Sequence, residues 1–236
     1  MNPKKLHGKW ALVTGSSRGI GQQVAIGLAE EGCNIILHGR TLEHCAGTLG
    51  LLKEYGVDVR AVAGELGTPT GDQSVIDAVL AEQVPVDILY NNAAVGSDWK
   101  DSAFDIPLEN WEWVFNINLF AVIRLCNAFT PLMVTRGWGR IVNVSSGIKD
   151  QPQLAPYSVS KAAVDKYTQD LATELKGTGV IINTLDPGWL KTDLGGEQAD
   201  HEVETVLPGA LVPVLLDDQA ESGRMYAAQD FRRLEK

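Results

Sequence analysis

The 236-residue chain has only three cysteines, Cys33, Cys45 and Cys126, and none stands in a CxxC spacing. An odd, unpaired set excludes a disulfide framework and a cysteine zinc site, and it suits a reducing compartment. The four histidines, His7, His38, His44 and His201, are scattered, so they read as structural or surface residues, and no metal is expected. Positive charge is short as well. Thirty acidic residues against twenty basic ones leave a net charge of -10, which repels a nucleic-acid duplex while allowing a local basic pocket. No uninterrupted apolar run looks long enough to span a membrane, and no apolar stretch follows the basic residues of MNPKKLHGKW, so a signal peptide is not expected. The default is a cytoplasmic protein without membrane or nucleic-acid partners. Proline- or glycine-rich linkers, repeats and low-complexity tracts are also missing, which argues for one domain over 1–236.

What is present is an alternation. About seven short apolar runs are expected as strands: Trp10–Thr14, Asn34–His38, Val57–Ala63, Val86–Asn91, Gly139–Ser146, Val180–Leu185 and Gly223–Ala228. Between them lie helical patterns over Ile20–Glu31, Leu42–Tyr55, Asp72–Glu82, Leu108–Thr135, Ala155–Leu175 and Glu202–Leu216. Strands that are apolar throughout suit a parallel sheet covered on both faces. The expected fold is therefore α/β, a doubly wound parallel sheet with right-handed crossovers.

The turn TGSSRGIG, Thr14–Gly21, leaves the first strand and opens the first helix. Gly15 suits the tight turn, while Gly19 and Gly21 clear side chains from a close approach. The helix N-terminus behind them offers free N–H groups to a pyrophosphate. Ser17, Arg18 and Ile20 belong to the same cofactor surface. The second strand ends in Gly39 and Arg40, where NAD-preferring folds place an acid. Arg40, joined by Arg18, pairs instead with a 2′-phosphate, so NADP(H) is expected over NAD(H).

In PYSVSK, Tyr157 and Lys161 stand four residues apart, on one face of the helix expected there. An ammonium group beside a phenol lowers its pKa and suits it to proton transfer. With TGSSRGIG, YNNAA, NINL, VNVSS, YSVSK and DPGWLKTD in that order, nearly the whole chain resembles a short-chain dehydrogenase/reductase, in a compact form similar to small carbonyl reductases or 3-oxoacyl-carrier reductases.

The resemblance implies a catalytic set. Tyr157 exchanges the proton with the carbonyl or alcohol, and Lys161 tunes Tyr157 and holds the nicotinamide ribose. Ser146 bonds the substrate oxygen, and Asn118 anchors a water that connects Lys161 to solvent. It also implies a cofactor set. Asn91, Asn92, Ala93 and Ala94 lie against a ribose, with Asn91 alternatively only bracing the sheet. Pro187 and Gly188 turn the chain after the sixth strand, Thr192 bonds the nicotinamide carboxamide, and Leu190 reaches it through its backbone. Glu65 stands where the pattern has aspartate at the adenine, so Leu66 takes that contact by its backbone. The loop between Ser146 and Tyr157 is short, which leaves Ser145 as an alternative to Ser146; the strand alignment favours Ser146.

The segment 187–208 is expected to build the substrate cleft, and its brevity suggests an open one. Trp99, Trp189 and Leu194 are expected near it, as walls for an apolar substrate or as ordinary packing. Surplus apolar residues on the helices around Trp111–Thr135 and Ala155–Leu175 suggest self-association as a dimer or tetramer. The leading expectation is a carbonyl reductase or alcohol dehydrogenase. The alternatives are an isomerase or dehydratase of the same fold and a non-catalytic dinucleotide sensor.

Overall fold

The computed structural model describes residues 5–232, so the outermost residues of the expected 1–236 domain lie outside the described residues. The strands are β1 (Trp10–Val13), β2 (Asn34–Gly39), β3 (Val59–Ala63), β4 (Ile88–Asn91), β5 (Gly139–Val144), β6 (Val180–Asp186) and β7 (Met225–Ala227). They form one parallel sheet in the order β3-β2-β1-β4-β5-β6-β7. The helices are α1 (Gly19–Glu30), α2 (Leu42–Leu52), α3 (Pro69–Ala81), α4 (Leu108–Phe115), α5 (Ala121–Arg136) and α6 (Ala155–Glu174).

The pleat of β1 and β2 explains why the strands are apolar on both sides. Ala11, Val13, Ile35 and Leu37 join the core beneath α1 and α2, whereas Trp10, Leu12 and Ile36 join the core beneath α3 and α5. Successive side chains point to opposite faces, and each face is covered, so the middle of these strands is apolar and the polar residues Asn34 and His38 stand at the ends of β2. The chain winds β1-β2-β3 to one side and β4-β5-β6-β7 to the other. The order therefore reverses between β1 and β4, and a ligand crevice opens outside their carboxyl ends.

Local chemistry sets the helix ends. Thr68 accepts the Gly71 N–H at the start of α3, where Pro69 has no N–H to satisfy, and Thr41 caps α2 through the His44 N–H. Gly137 ends α5 in the left-handed conformation.

Three expectations need correction. The helix expected over Glu202–Leu216 is absent. Short 3-10 turns at Val203–Val206 and Gly209–Leu211 replace it, separated by a cis Leu207–Pro208 bond. Pro208 and Pro213 remove two of the N–H groups a helix would need. The backbone at Gly209 also packs directly on Ala228: a side-chain carbon there would lie 2.0 Å from the Ala228 carbonyl oxygen. The apolar pattern still does its work, since Val206, Ala210, Leu211 and Val214 are buried in the core that includes α1.

The long helix of Leu108–Thr135 widens into a π turn at Asn116–Phe120, between α4 and α5. Such turns collect at functional positions, and Asn118 lies in this one.

Taken together, Leu108–Arg136 is also long and apolar enough to cross a membrane by length and mean hydropathy, contrary to the expectation that no run reaches that length. Here half of its most apolar window is buried inside the fold, and Arg124 pairs with the fully buried Asp72 of α3.

Candidate active site

At the carboxyl end of β1 the chain turns through Gly15 and Gly19, both at positive φ (63° and 60°), a conformation that side chains disfavour. The turn is held from beneath by groups whose role the sequence did not disclose. Thr14 Oγ1 accepts the N–H groups of Asn92 and Ala93 at 3.0 Å each. Asn92 Nδ2 donates to the carbonyls of Thr14 and Gly15, and Thr48 Oγ1 donates to that of Ser16. His38, buried at the end of β2, bridges Gly15 and Gly64. The Gly15 N–H lies 3.2 Å from Nδ1, and Nε2 lies 3.1 Å from the Gly64 carbonyl. A backbone N–H only donates and a carbonyl only accepts, so His38 is neutral with its proton on Nε2.

Burial lowers the His38 pKa from 6.5, against a raising bond to Gly64. The neutral ring's contribution is therefore complete above about pH 6.5 and is lost as pH falls through the lowered folded value. Protonation removes the acceptor of the Gly15 N–H, a loss of about 1–3 kcal/mol for a buried donor left unpaired. Thermal unfolding followed from neutral pH downwards should show this acid-side loss. A His38→Gln variant should show a flatter profile; an identical profile would exclude His38 as its source.

The cradle above this turn fits a dinucleotide. Arg18, the residue before α1, gives no side-chain cap, so the first-turn N–H groups remain open to a pyrophosphate. Gly21 is needed because a side-chain carbon there would lie 2.4 Å from the Gly15 carbonyl oxygen. Ala93 packs on Gly15 in the same way. Arg40 is exposed at the end of β2 and makes no ion pair among the described residues. Arg18 is also exposed, and its Nε lies 2.9 Å from Asp193 Oδ2, so the loop after β6 reaches across to the glycine turn. A pair this exposed contributes about 0–1 kcal/mol and yields readily to a phosphate. Glu65 points to solvent, while Leu66 is buried beside it. Asn91 braces the sheet, with Nδ2 donating to Asn143 Oδ1 at 2.8 Å. Of the two asparagines, neither turns its amide nitrogen toward the open crevice.

Tyr157 and Lys161 share one face of α6, and the structure brings them beside the end of β5. The Lys161 ammonium is buried, donates to the Val144 carbonyl at 2.8 Å, and lies 5.7 Å from the centre of the Tyr157 ring. Ser146 faces the cavity with Tyr157, and its Oγ accepts the Ile148 N–H at 3.2 Å. Ser145 turns away, its buried hydroxyl directed at the Lys161 carbonyl. Asn118 is fully engaged: Oδ1 accepts the Val95 N–H, and Nδ2 donates to the Val95 carbonyl and to Ser160 Oγ. It thereby clamps the loop after β4 to α6.

The pKa pattern differs from the expectation that Lys161 lowers Tyr157. Burial raises the Tyr157 phenol; a hydrogen bond with Ser146 lowers it, and the Asp186 carboxylate raises it further. Burial also lowers Lys161 to about 8, with Asp165 opposing. The ammonium lies over the ring rather than at the hydroxyl, so desolvation dominates both groups. Asp165 lies four residues beyond Lys161, and burial raises its pKa against the lowering pull of the Ser145 and Thr184 hydroxyls. Its spacing on the face of Tyr157 and Lys161 was a readable signal.

A cleft of about 730 Å³ opens above these residues. Ile20, Pro187, Gly188, Leu190 and Thr192 line it, as do Trp99, Trp189 and Leu194. Thr192 Oγ1 accepts the Gly195 N–H, and its methyl faces Gly19. The loop carrying these residues is pinned by the Lys191 N–H, which donates to the His201 carbonyl.

Comparison with known proteins agrees with this geometry. The short chain dehydrogenase family model matches residues 9–203. Nodulation protein G of Azospirillum brasilense is 34% identical over 189 residues, covering 79% of this chain and 76% of that protein. A 3-oxoacyl-[acyl-carrier-protein] reductase of Vibrio cholerae is 35% identical over 191 residues, covering 80% and 76%. Among solved structures, a 3-oxoacyl (acyl-carrier-protein) reductase from Agrobacterium tumefaciens with NADP bound superposes with a TM-score of 0.85 at 26% identity, covering 95% of this chain and 94% of that one.

Proposed function

Because the chain belongs to the short-chain dehydrogenase/reductase family, we propose that it is an NADP(H)-dependent oxidoreductase that reduces a small carbonyl substrate, with Tyr157 as the proton donor. The observation that carries this reading is the meeting of Ser146 and Tyr157 in one cleft, with the buried Lys161 ammonium one turn along the same helix. The chain acts as one dinucleotide-binding unit, with its cleft built in part by 187–208.

The bound nicotinamide supplies the hydride. Every other requirement falls to the protein. Negative charge grows on the carbonyl oxygen as the hydride arrives, and Tyr157 donates a proton to it. The Ser146 hydroxyl donates a hydrogen bond to the same oxygen, which its own acceptance from Ile148 helps to orient. Lys161, whose pKa burial lowers to about 8, would hold ribose hydroxyls of the bound cofactor. Asn118 fixes the loop after β4 against α6, which keeps the substrate and cofactor walls in register. A phenol whose pKa is raised retains its proton at neutral pH, the form needed to donate to a carbonyl oxygen. Arg40 and Arg18 support the preference for NADP(H) through the 2′-phosphate. NADPH oxidation followed by absorbance over a panel of ketones and aldehydes tests the proposal. Steady cofactor consumption supports it, and tight NADPH binding without consumption of any carbonyl would favour a sensor.

Self-association belongs to the same reading. Trp113, Phe120, Leu132 and Val159, on or next to α4, α5 and α6, remain exposed. A second copy of the chain covers such a surface with apolar area of like kind. Light scattering after size exclusion should give a dimer or tetramer, and Phe120→Asp should weaken it by about tenfold, as expected for removing one buried aromatic contact. A monomer at micromolar concentration would contradict this.

A further inference from the structure

Asp186 ends β6, immediately before the Pro187–Gly188 turn, and the mechanism above gives it no task. Among the described residues it is the only acidic one lining the cleft; the other charged lining residue, Lys149, is exposed. Its Oδ1 accepts the Gly188 N–H at 3.0 Å, so the carboxylate has a set direction. Its Oδ2 has no hydrogen-bond donor among the described residues, and Asp186 makes no salt bridge there. Oδ2 lies over Gly147, the neighbour of Ser146, where a side-chain carbon would come within 2.5 Å of it. The carboxylate is also close enough to Tyr157 to raise its pKa.

The surroundings make this charge informative. Ile148, Leu154 and Leu194 line the same space, together with the half-exposed Trp99 and Trp189. The Trp189 indole N–H donates to the Gly195 carbonyl at 2.8 Å, so what it offers a ligand is its ring. A carboxylate with one filled acceptor position in an apolar cleft is stabilised by a cation, and indole faces attract cations too. A second carboxylate brought into the cleft would be repelled.

Resting on the reading of this site as a carbonyl reductase, we propose that Asp186 sets its substrate class: carbonyl compounds carrying an ammonium group near the reacting carbon are preferred, and keto acids are turned away. Substrate binding then completes an ion pair that the protein leaves half-built. The bound ammonium also offsets the field of Asp186 at Tyr157, easing proton release to the substrate oxygen.

The test uses ketones of one shape and three charges: phenacylamine in its ammonium form, phenacyl alcohol and phenylglyoxylate, each reduced by the NADPH-loaded protein. The expected order of kcat/KM is ammonium, then alcohol, then acid, with about a tenfold step between the first two, as for one charge-assisted hydrogen bond in a partly solvated site. In Asp186→Asn, which keeps an oxygen for the Gly188 N–H, the ratio of ammonium to alcohol should fall by about tenfold. Calorimetry with benzylammonium, benzyl alcohol and benzoate should give the same order without any reaction. Equal kcat/KM for all three ketones, or an ammonium-to-alcohol ratio unchanged in Asp186→Asn, would overturn the inference while leaving the reductase reading standing. Correct binding order with no ketone reduced would sink the reductase reading and with it the substrate class, leaving Asp186 as a cation-binding group only.

Discussion

Tyr157→Phe should lower kcat for carbonyl reduction by about 10²–10⁴-fold, the range for removing a positioned general acid, with the NADPH dissociation constant nearly unchanged. The variant removes only the hydroxyl. The ring remains to fill its place on α6 and to lie beneath the Lys161 ammonium, 5.7 Å from its centre. Folding and cofactor binding therefore persist, and the loss belongs to the proton. Ser146 and Lys161 remain in the site and leave a residual rate through the hydrogen bond to the developing oxyanion. The measurement is single-turnover NADPH oxidation beside equilibrium NADPH binding. A fall in binding equal to the fall in rate would assign Tyr157 to the cofactor rather than to the proton. The raised pKa of Tyr157 adds a direction: reduction should hold its rate through neutral pH, because the phenol keeps its proton there.

Arg40→Asp should raise the NADPH dissociation constant by about a hundredfold and leave NADH binding equal or tighter. An arginine–phosphate contact is a charge-assisted hydrogen bond contributing about 1.5–3 kcal/mol, and the substitution adds repulsion to its loss. Arg40 is exposed and makes no ion pair among the described residues, so removing it leaves no buried partner behind. The fold should tolerate the change, and a preserved unfolding midpoint would confirm that. Arg18 differs, since it is paired with Asp193. Asp193→Asn should therefore tighten NADPH slightly by freeing Arg18, within the small range of an exposed pair. Unchanged cofactor discrimination in Arg40→Asp would place the 2′-phosphate elsewhere, and with it the basis for preferring NADP(H).

Much of the candidate site was readable along the chain because its parts are local. The glycine turn declares itself by a strand, three glycines and a helix in succession. Tyr157 and Lys161 share a helical face by their spacing, and the motifs around them in the chain mark the pair as more than a surface contact. Other parts were hidden because their partners are far apart in sequence. His38 looked like one scattered histidine, yet it links Gly15 to Gly64 across neighbouring strand ends. Asn118 was marked as a site residue by the resemblance, but its clamp between Val95 and Ser160 and the π turn that carries it appear only in the fold. The helix expected over Glu202–Leu216 failed for a related reason. Its apolar spacing records burial against α1, and two prolines with a glycine pressed on Ala228 satisfy the same burial without a helix.

By itself the sequence determined the parallel doubly wound sheet, the dinucleotide cradle and the tyrosine–lysine pair. Each is written in short-range periodicity, where backbone geometry converts residue spacing directly into a shared face or turn. The tertiary structure alone decided which serine faces the cleft, that the Lys161 ammonium lies over the Tyr157 ring, and that Asp186 lines the same cleft with no salt bridge among the described residues. Those depend on distances between residues remote in the chain. Such quantities exist only once β5, β6 and α6 have come together.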